Sequence, residues 1–274
     1  AHGVGPGDCV ALLLRNDFAF LEASIAATML GAYAVPINWH WKAEEIAYLL
    51  DDSDAKAVVV HADLLPLLDQ APQGIAMLVV PTPPEVQAAY GSMATAPSAA
   101  ANDWNAVLAA QPEWSGPPQP PRESMIYTSG TTGRPKGVRR QPATAVHQAG
   151  MVRNRLELYG LRPGIRALVP GPLYHAAPNA FGVRGAQLAE LMVLMPRFEA
   201  EEMLALIARH RIDTIFVVPT MMVRLLRLPE DVRRRYDVAS LRHVVHAAAP
   251  CPPDVKRAMI DWWAVSYTHL RAHE

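Results

Sequence analysis

From Gly7 onward, short apolar runs alternate with longer stretches whose apolar residues recur at helical spacing. Cys9–Leu14 reads as a buried strand and Phe18–Leu30 as a helix stopped by Gly31. Ala34–Ile37 is extended, Ala43–Leu50 helical, and Ala57–Val60 the next strand. A short helix over Asp63–Gln70 ends at a Pro-Gln-Gly break, and Met77–Val80 closes the series as a strand. Residues 81–123 break this rhythm: small and polar from Ala94 to Ala101, then crowded with Pro112, Pro117, Pro118, Pro120 and Pro121. They read as a surface connection with one helix through Asn102–Ala110. Alternation then resumes with strands at Met125–Thr128, Arg166–Val169, Met192–Met195, Thr214–Val218 and His243–Ala247. The helices between and after them are Ala143–Tyr159, Asn179–Leu191, Ala200–His210, Thr220–Arg227 and Pro253–Trp263. Strand–helix alternation of this kind predicts an α/β protein with parallel-rich sheets flanked by helices. Its expected parts are a first α/β subdomain over residues 1–111, a proline-rich connection over 112–123, and a second subdomain over 124–263. Residues 264–274 form a loosely attached tail in this reading.

Composition narrows the class. Of the 274 residues, 51% are hydrophobic and 19% charged, enough apolar material for a sizeable core and too little charge for disorder. Cys9 and Cys251 cannot build a disulfide framework and form no C-x-x-C pair, so both read as small core residues in a reducing compartment. The longest apolar stretch, Ser24–Ile37, is interrupted by Gly31 and Pro36, and no basic n-region precedes it. The expectation is a cytoplasmic protein with no transmembrane segment. The net charge of −1 gives no reason to expect nucleic acid as a partner, but it hides an asymmetry. Residues 1–121 carry three basic against thirteen acidic side chains, and residues 122–274 carry 22 against 13, so the halves stand at −10 and +9. The halves either complement one another or the second handles a polyanion such as a nucleotide triphosphate.

The stretch richest in chemistry is Tyr127-Thr128-Ser129-Gly130-Thr131-Thr132-Gly133-Arg134-Pro135-Lys136-Gly137-Val138. Its glycines allow backbone N–H groups to converge on phosphate oxygens, its hydroxyls add donors, and Lys136 adds a point charge. It is not a Walker A loop: Lys136 follows Gly133 by three positions, Pro135 intervenes, and Val138–Gln141 looks extended. A strand–loop–strand cover over phosphates is the geometry this spacing predicts.

These residues resemble the phosphate-binding signature of the adenylate-forming (AMP-binding) superfamily, and within it the chain is most similar to acyl-CoA synthetases of the fatty-acid and bile-acid ligase kind. Gly5-Pro6-Gly7-Asp8, Gly31-Ala32, Val35-Pro36-Ile37-Asn38 and Glu44-Glu45-Ile46 carry the resemblance through the first half. It implies ATP-dependent activation of a carboxylic acid, fatty or otherwise apolar, to an acyl adenylate and then an acyl-CoA. ATP, Mg²⁺ and coenzyme A are the implied cofactors, with the small carboxylic acid as partner. Thr128, Ser129, Gly130, Thr131, Thr132, Gly133 and Lys136 would meet the nucleotide, with Thr131 also towards Mg²⁺.

Further motifs gain meaning from the resemblance. Pro172-Leu173-Tyr174-His175-Ala176-Ala177-Pro178 is similar to an aromatic/His motif, which places Tyr174 and His175 at the substrate and gives His175 the catalytic role beside the acyl carboxylate. Ala247, Ala248, Ala249 and Pro250 end a strand with small residues against which a flat ring can lie; the resemblance makes them a wall of the adenine and acyl pocket. Pro219, Met221 and Met222 would line the acid pocket, where adaptable methionines suit an apolar acyl group, although core packing explains the methionines equally well. His243 and His246, three apart on a strand, face opposite sides and do not form a metal pair. Arg139 and Arg140 could meet CoA phosphates, but strand alternation sends only one of them inward, and Arg233–Arg235 reads as a solvated turn. After Trp263 the superfamily pattern continues with a Tyr-Gly-x-Thr-Glu motif that Ala264–Glu274 does not match. The chain is therefore expected to be a partial N-terminal domain, inactive alone and exposing apolar edges. Two other classes stay open: a nucleotide- or acyl-binding module without turnover, and a kinase or NTPase.

Overall fold

The computed structural model describes residues 3–92, 103–117, 119–128, 134–247, 249–264 and 267–269. The chain divides into two compact units, Ala1–Pro142 with Leu173–Ala176, and Ala143–Pro172 with Ala177–Glu274. Each is an α/β unit on a parallel sheet.

The first unit is built on four parallel strands in the order β2-β1-β3-β4: β1 (Cys9–Leu13), β2 (Tyr33–Pro36), β3 (Ala55–His61) and β4 (Ala76–Val80). All five β1 residues are buried, as a central strand covered on both faces requires. α1 (Phe18–Met29) starts where the Asp17 carboxylate accepts the Phe18 N–H at 2.6 Å. It stops at Gly31, whose φ of +67° and 3.0 Å approach to the Gln119 side chain leave no room for a Cβ. α2 (Ala43–Asp52) is amphipathic, with Ile46, Leu49 and Leu50 buried; its entry is fixed by the Lys42 N–H donating to Glu45 Oε2 at 2.8 Å. These residues join Cys9, Leu13, Val35, Ile37, Val58 and Val60 in one core.

Three short helical segments precede or follow the last strand of this sheet. Ala62–Leu68 is a 3₁₀ segment, shorter and tighter than the expected helix to Gln70, with Pro66 denying it an interior N–H. α3 (Pro84–Tyr90) arises where the sequence reads only as connection: Pro84 opens the helix and Gly91, at φ +64°, closes it. α4 (Trp104–Ala110) begins on an Asp103 cap, in line with expectation. β5 (Tyr127–Thr128) and β6 (Lys136–Gly137) then form an antiparallel pair, the strand–loop–strand geometry predicted for the glycine-rich stretch.

The second unit carries five parallel strands in the order β11-β10-β9-β7-β8, namely β7 (Arg166–Val169), β8 (Leu191–Leu194), β9 (Thr214–Val217), β10 (His243–His246) and β11 (Tyr267–His269). Its helices are α5 (Ala145–Tyr159), α6 (Ala176–Ala186), α7 (Ala200–His210), α8 (Pro219–Leu226), α9 (Glu230–Arg235) and α10 (Pro253–Trp263). Met203, Leu204, Ile207, Ile215, Val217, Met222, Leu225, Val244 and Met259 make its core. α6 begins three residues before Asn179 and ends at Ala186, because a proline in the first turn is tolerated and a tight turn of Leu188 and Ala189 on the Gly185 carbonyl follows. Arg234 and Arg235 are exposed as expected, but on a short helix, whereas Arg233 is half-buried with its guanidinium 5.3 Å from the Trp262 ring centre. Tyr267–His269, placed by the sequence in a loose tail, pairs with β10 as the edge strand. Among the described residues no helix is long and apolar enough to cross a membrane.

Candidate functional site

The glycine-rich hairpin is fastened to α2 in the first unit. Tyr127 donates its hydroxyl to Asp52 Oδ2 at 2.6 Å, and Tyr48, one turn earlier on α2, donates to the Pro135 carbonyl at 3.2 Å. The Arg134 guanidinium lies 4.9 Å from the Tyr48 ring centre. Burial, followed by the hydrogen bond to Asp52, pushes the Tyr127 phenol far up, so it remains a donor at any physiological pH. Gly137 is required by this packing: a Cβ there would stand 2.5 Å from the Tyr127 ring. Tyr127 pairs with Gly137 and Thr128 with Lys136, and cross-strand partners share a face. Tyr127 is therefore buried towards α2 while Thr128 and Lys136 both face solvent. Five of the seven residues between them, Ser129, Gly130, Thr131, Thr132 and Gly133, lie outside the described residues. Arg139 donates to the Ser53 carbonyl at 2.8 Å and Arg140 pairs with Glu123 at 3.0 Å, so both arginines of the following segment have protein partners.

A second constellation gathers at the carboxyl ends of all four strands of the first sheet. This is where open α/β sheets hold ligands, and β1, with chain connections diverging on either side of it, is the switch point. Three consecutive side chains after β1 organise it. Asp17 accepts from His61 Nε2 at 3.1 Å, while His61 Nδ1 accepts the Arg15 N–H at 3.1 Å, which fixes the wholly buried ring as the Nε2–H tautomer. Asn16 Oδ1 accepts the Leu173 N–H at 2.8 Å, holding the Leu173–Ala176 segment onto this unit. Arg15 donates Nε and Nη2 to one oxygen of Asp63, at 3.2 and 2.8 Å, and the other Asp63 oxygen accepts the Thr82 hydroxyl at 2.9 Å. The Arg15 guanidinium lies 4.5 Å from the Trp39 ring and 4.0 Å from that of Tyr90, and Trp39 stands edge-on to Tyr174 at 6.0 Å. His175 packs tilted against Tyr174 at 4.4 Å. Partial desolvation, and secondarily His40, lower the His175 pKa below that of a free imidazole; His40 is lowered in turn by desolvation and Arg15. Both shifts favour the neutral ring, the form in which His175 can donate one hydrogen bond and accept another.

Sequence reasoning found Tyr174 and His175 but missed Arg15, Asn16, Trp39, His40 and Tyr90. A signal was available: Arg15 is one of three basic residues in the first 121, and Trp39-His40-Trp41 is a dense aromatic run just after a strand.

In the second unit, a groove of about 400 Å³ is lined by Pro219, Thr220, Val223, Ala249, Pro250 and Pro252, with Arg224 and Arg227. Pro219, Ala249 and Pro250, picked out from sequence, thus meet on one groove. Ala247 is buried at the end of β10, and Ala248 lies outside the described residues. Met222 is wholly buried and Met221 nearly so, both within the core cluster and neither on the groove. His243 stays with its own unit: its Nε2 donates to the Leu158 carbonyl at 3.1 Å and its ring fills the space beside Gly160. Among the described residues no group of three or more His, Cys, Asp or Glu could hold a metal ion. The expectation for Mg²⁺ rests on Thr131, which lies outside those residues.

The parallel α/β units, with an antiparallel hairpin carrying the glycine- and hydroxyl-rich stretch in the first, put the chain in the AMP-binding fold class. The chain belongs to the AMP-binding enzyme family, which it matches over residues 1–270. It is 31% identical to the long-chain-fatty-acid–CoA ligase FadD13 of Mycobacterium tuberculosis, covering 92% of this chain and 47% of that protein. It is 27% identical to the 3-hydroxybenzoate–CoA/4-hydroxybenzoate–CoA ligase of Thauera aromatica, over 98% of this chain and 50% of that enzyme. In fold it resembles the inhibitor-bound N-terminal domain of FACL13 from Mycobacterium tuberculosis, with a TM-score of 0.68, 27% identity, and coverage of 99% of this chain and 64% of that one. It also resembles the anthranilate CoA ligase AuaEII in complex with anthranoyl-AMP, with a TM-score of 0.77 at 24% identity, over 97% of this chain and 50% of the other. The chain spans about half the length of the curated relatives it matches.

Proposed function

We propose that this chain provides the phosphate-, adenine- and acid-binding surfaces of an AMP-forming acid–CoA ligase acting on an apolar carboxylic acid. The observation that carries the reading is the β5–β6 rung, which turns Thr128 and Lys136 to one solvent face while Tyr127 anchors the other face to α2. A loop held in this way presents a cation and hydroxyl donors to a triphosphate, with its stems fixed before the ligand arrives. In adenylation a carboxylate oxygen attacks the α-phosphorus and the bond to pyrophosphate breaks. Lys136 and the loop donors hold the leaving group as its charge grows. In the second step a thiol attacks the acyl carbonyl and AMP leaves. His175, on the segment that Asn16 ties down at Leu173 and packed against Tyr174, supplies a hydrogen bond to the carboxylate and then to the thioester-forming carbonyl. Ala249, Pro250 and Pro219 offer low, apolar walls for the ring and acyl group. ATP and coenzyme A are the cosubstrates on this reading, and Mg²⁺ would be held beside Thr131, shielding the phosphates. The relatives are named for both fatty and aromatic acids, and on this reading the groove sets the shape of the acyl group that the chain accepts.

The test is calorimetric binding of an acyl-sulfamoyl adenosine, a non-hydrolysable acyl-adenylate mimic, to the chain and to Lys136→Ala with ATP as competitor. We expect the mimic with an apolar acyl group to bind, and ATP binding to weaken roughly 10- to 100-fold in the variant, as for loss of one charge-assisted contact. ATP binding indifferent to Lys136 would overturn the reading. With acid and ATP supplied to the enzyme, ADP as product would point instead to a kinase.

A further inference from the structure

We propose that Arg15 is a positioning residue for His175, acting through Trp39 and Tyr174 to fix where the imidazole stands at the carboxyl edge of the first sheet. The inference rests on the proposed role of His175 beside the acyl carboxylate, but it concerns a residue outside every motif that suggested that role.

Four observations carry it. First, Arg15 is held in one orientation: its side chain is 9% exposed, and Nε and Nη2 converge on a single oxygen of Asp63, itself 4% exposed and bound by Thr82. An ion pair this buried is a costly way to gain stability, whereas it restricts geometry well. Second, the remaining nitrogen, Nη1, is buried with no hydrogen-bond acceptor among the described residues, and the guanidinium lies against two aromatic rings. The distances of 4.5 Å to Trp39, 4.0 Å to Tyr90 and 5.0 Å between the two rings form a closed triangle. The cation therefore sits in the corner of an edge-to-face pair and holds both rings, a geometry suited to a planar guanidinium and not to an ammonium. Third, Trp39 passes the constraint on: it stands at 86° to Tyr174, which packs on His175. Fourth, the backbone tie made by Asn16 to Leu173 comes from the residue next to Arg15, so one strand end fixes the segment by its main chain and by its rings. His40, after β2, and Tyr174, on its own segment, are the titratable groups that bear on His175, while Tyr90 on α3 bears on Tyr174 and Arg15 after β1 on His40. The lowered pKa values of His40, with Arg15 among its causes, and of His175, with His40 among its causes, run in the direction this arrangement requires.

The experiment is a pH titration of the histidine Cε1 signals by NMR on the unliganded chain, with His175 and His40 assigned by His→Gln variants. Arg15→Met and Arg15→Lys should both shift the His175 signal at pH 8, because the ring stack loosens in each. Only Arg15→Met should raise the His40 midpoint, by about a few tenths of a pH unit, because only it removes the charge that bears on His40. Tyr90→Leu leaves the Arg15–Asp63 pair intact and loosens only the stack; it should move the His175 signal without moving the His40 midpoint, and it serves if the Arg15 variants do not fold. A His175 signal unchanged in folded Arg15→Met, or unchanged in folded Tyr90→Leu, would overturn the inference. No ligand enters this measurement, so its failure is separate from that of the ligase reading. If the acyl-adenylate mimic binds without perturbing His175, the ligase role of that residue fails while the coupling to Arg15 stands.

Discussion

At the scale of single residues, the hairpin depends on an aromatic ring and on the lack of a side chain opposite it. Gly137→Ala should destabilise the first unit by about 1–3 kcal/mol, since the added methyl must displace the Tyr127 ring or part the two strands. Chemical denaturation with tryptophan fluorescence reads this directly. Tyr127→Phe keeps the ring and loses the hydroxyl bond to Asp52, so it should cost only about 1 kcal/mol while weakening ATP binding through a looser hairpin. His175 gives a pH dependence with a defined sign. Its folded pKa lies below the unfolded value of about 6.5, so the unfolded chain binds the proton more readily. The stability it contributes is present above that value and is lost as pH falls towards the folded pKa. Thermal melting of the wild-type chain should therefore fall between pH 7.5 and 5 by more than that of His175→Gln; equal falls would contradict the assignment.

At the scale of elements, α8 separates two roles that share one short sequence. Met222 and Leu225 point into the core, whereas Pro219, Thr220 and Val223 line the groove. Met222→Ala should cost roughly 2–5 kcal/mol and leave the order of preference among acyl chains unchanged. Val223→Phe should be close to neutral for stability and should disfavour long or bulky acyl groups on the adenylate mimic. Competition binding with mimics of graded acyl length distinguishes the two. The periodicity of 219–226 shows an amphipathic helix but cannot tell which of its faces meets a groove, since both faces carry apolar side chains.

At the scale of the whole molecule, α5 carries exposed apolar side chains, with Val146, Val152 and Leu156 at 81, 59 and 52% exposure. An apolar surface of this kind associates with itself or with hydrophobic probes. The chain as it stands should bind a hydrophobic dye and self-associate at high concentration, and Val152→Lys with Leu156→Lys should reduce both. Sedimentation velocity across a concentration series checks this, and a monomer silent to the dye would refute it.

The order of strands and helices, the sheet class and the glycine-rich loop were legible from the sequence, because each is a local pattern: burial of whole strands, amphipathic spacing, and a run of glycines and hydroxyls. Where the reading missed, a local rule had two outcomes. Pro84 could extend a loop or open a helix, Pro178 could precede a helix or sit in its first turn, and Tyr267–His269 acquired a strand only by finding the edge of β10. What the tertiary structure alone decided is how distant residues share a site. Arg15, Trp39, His61, Thr82 and Tyr174 lie far apart along the chain and carry no common spacing. They meet because parallel strands bring all their carboxyl ends to one edge, where the buried Arg15 charge must be matched by Asp63 and covered by aromatic rings. A sequence states which residues can do chemistry. The sheet's connectivity determines which of them are neighbours.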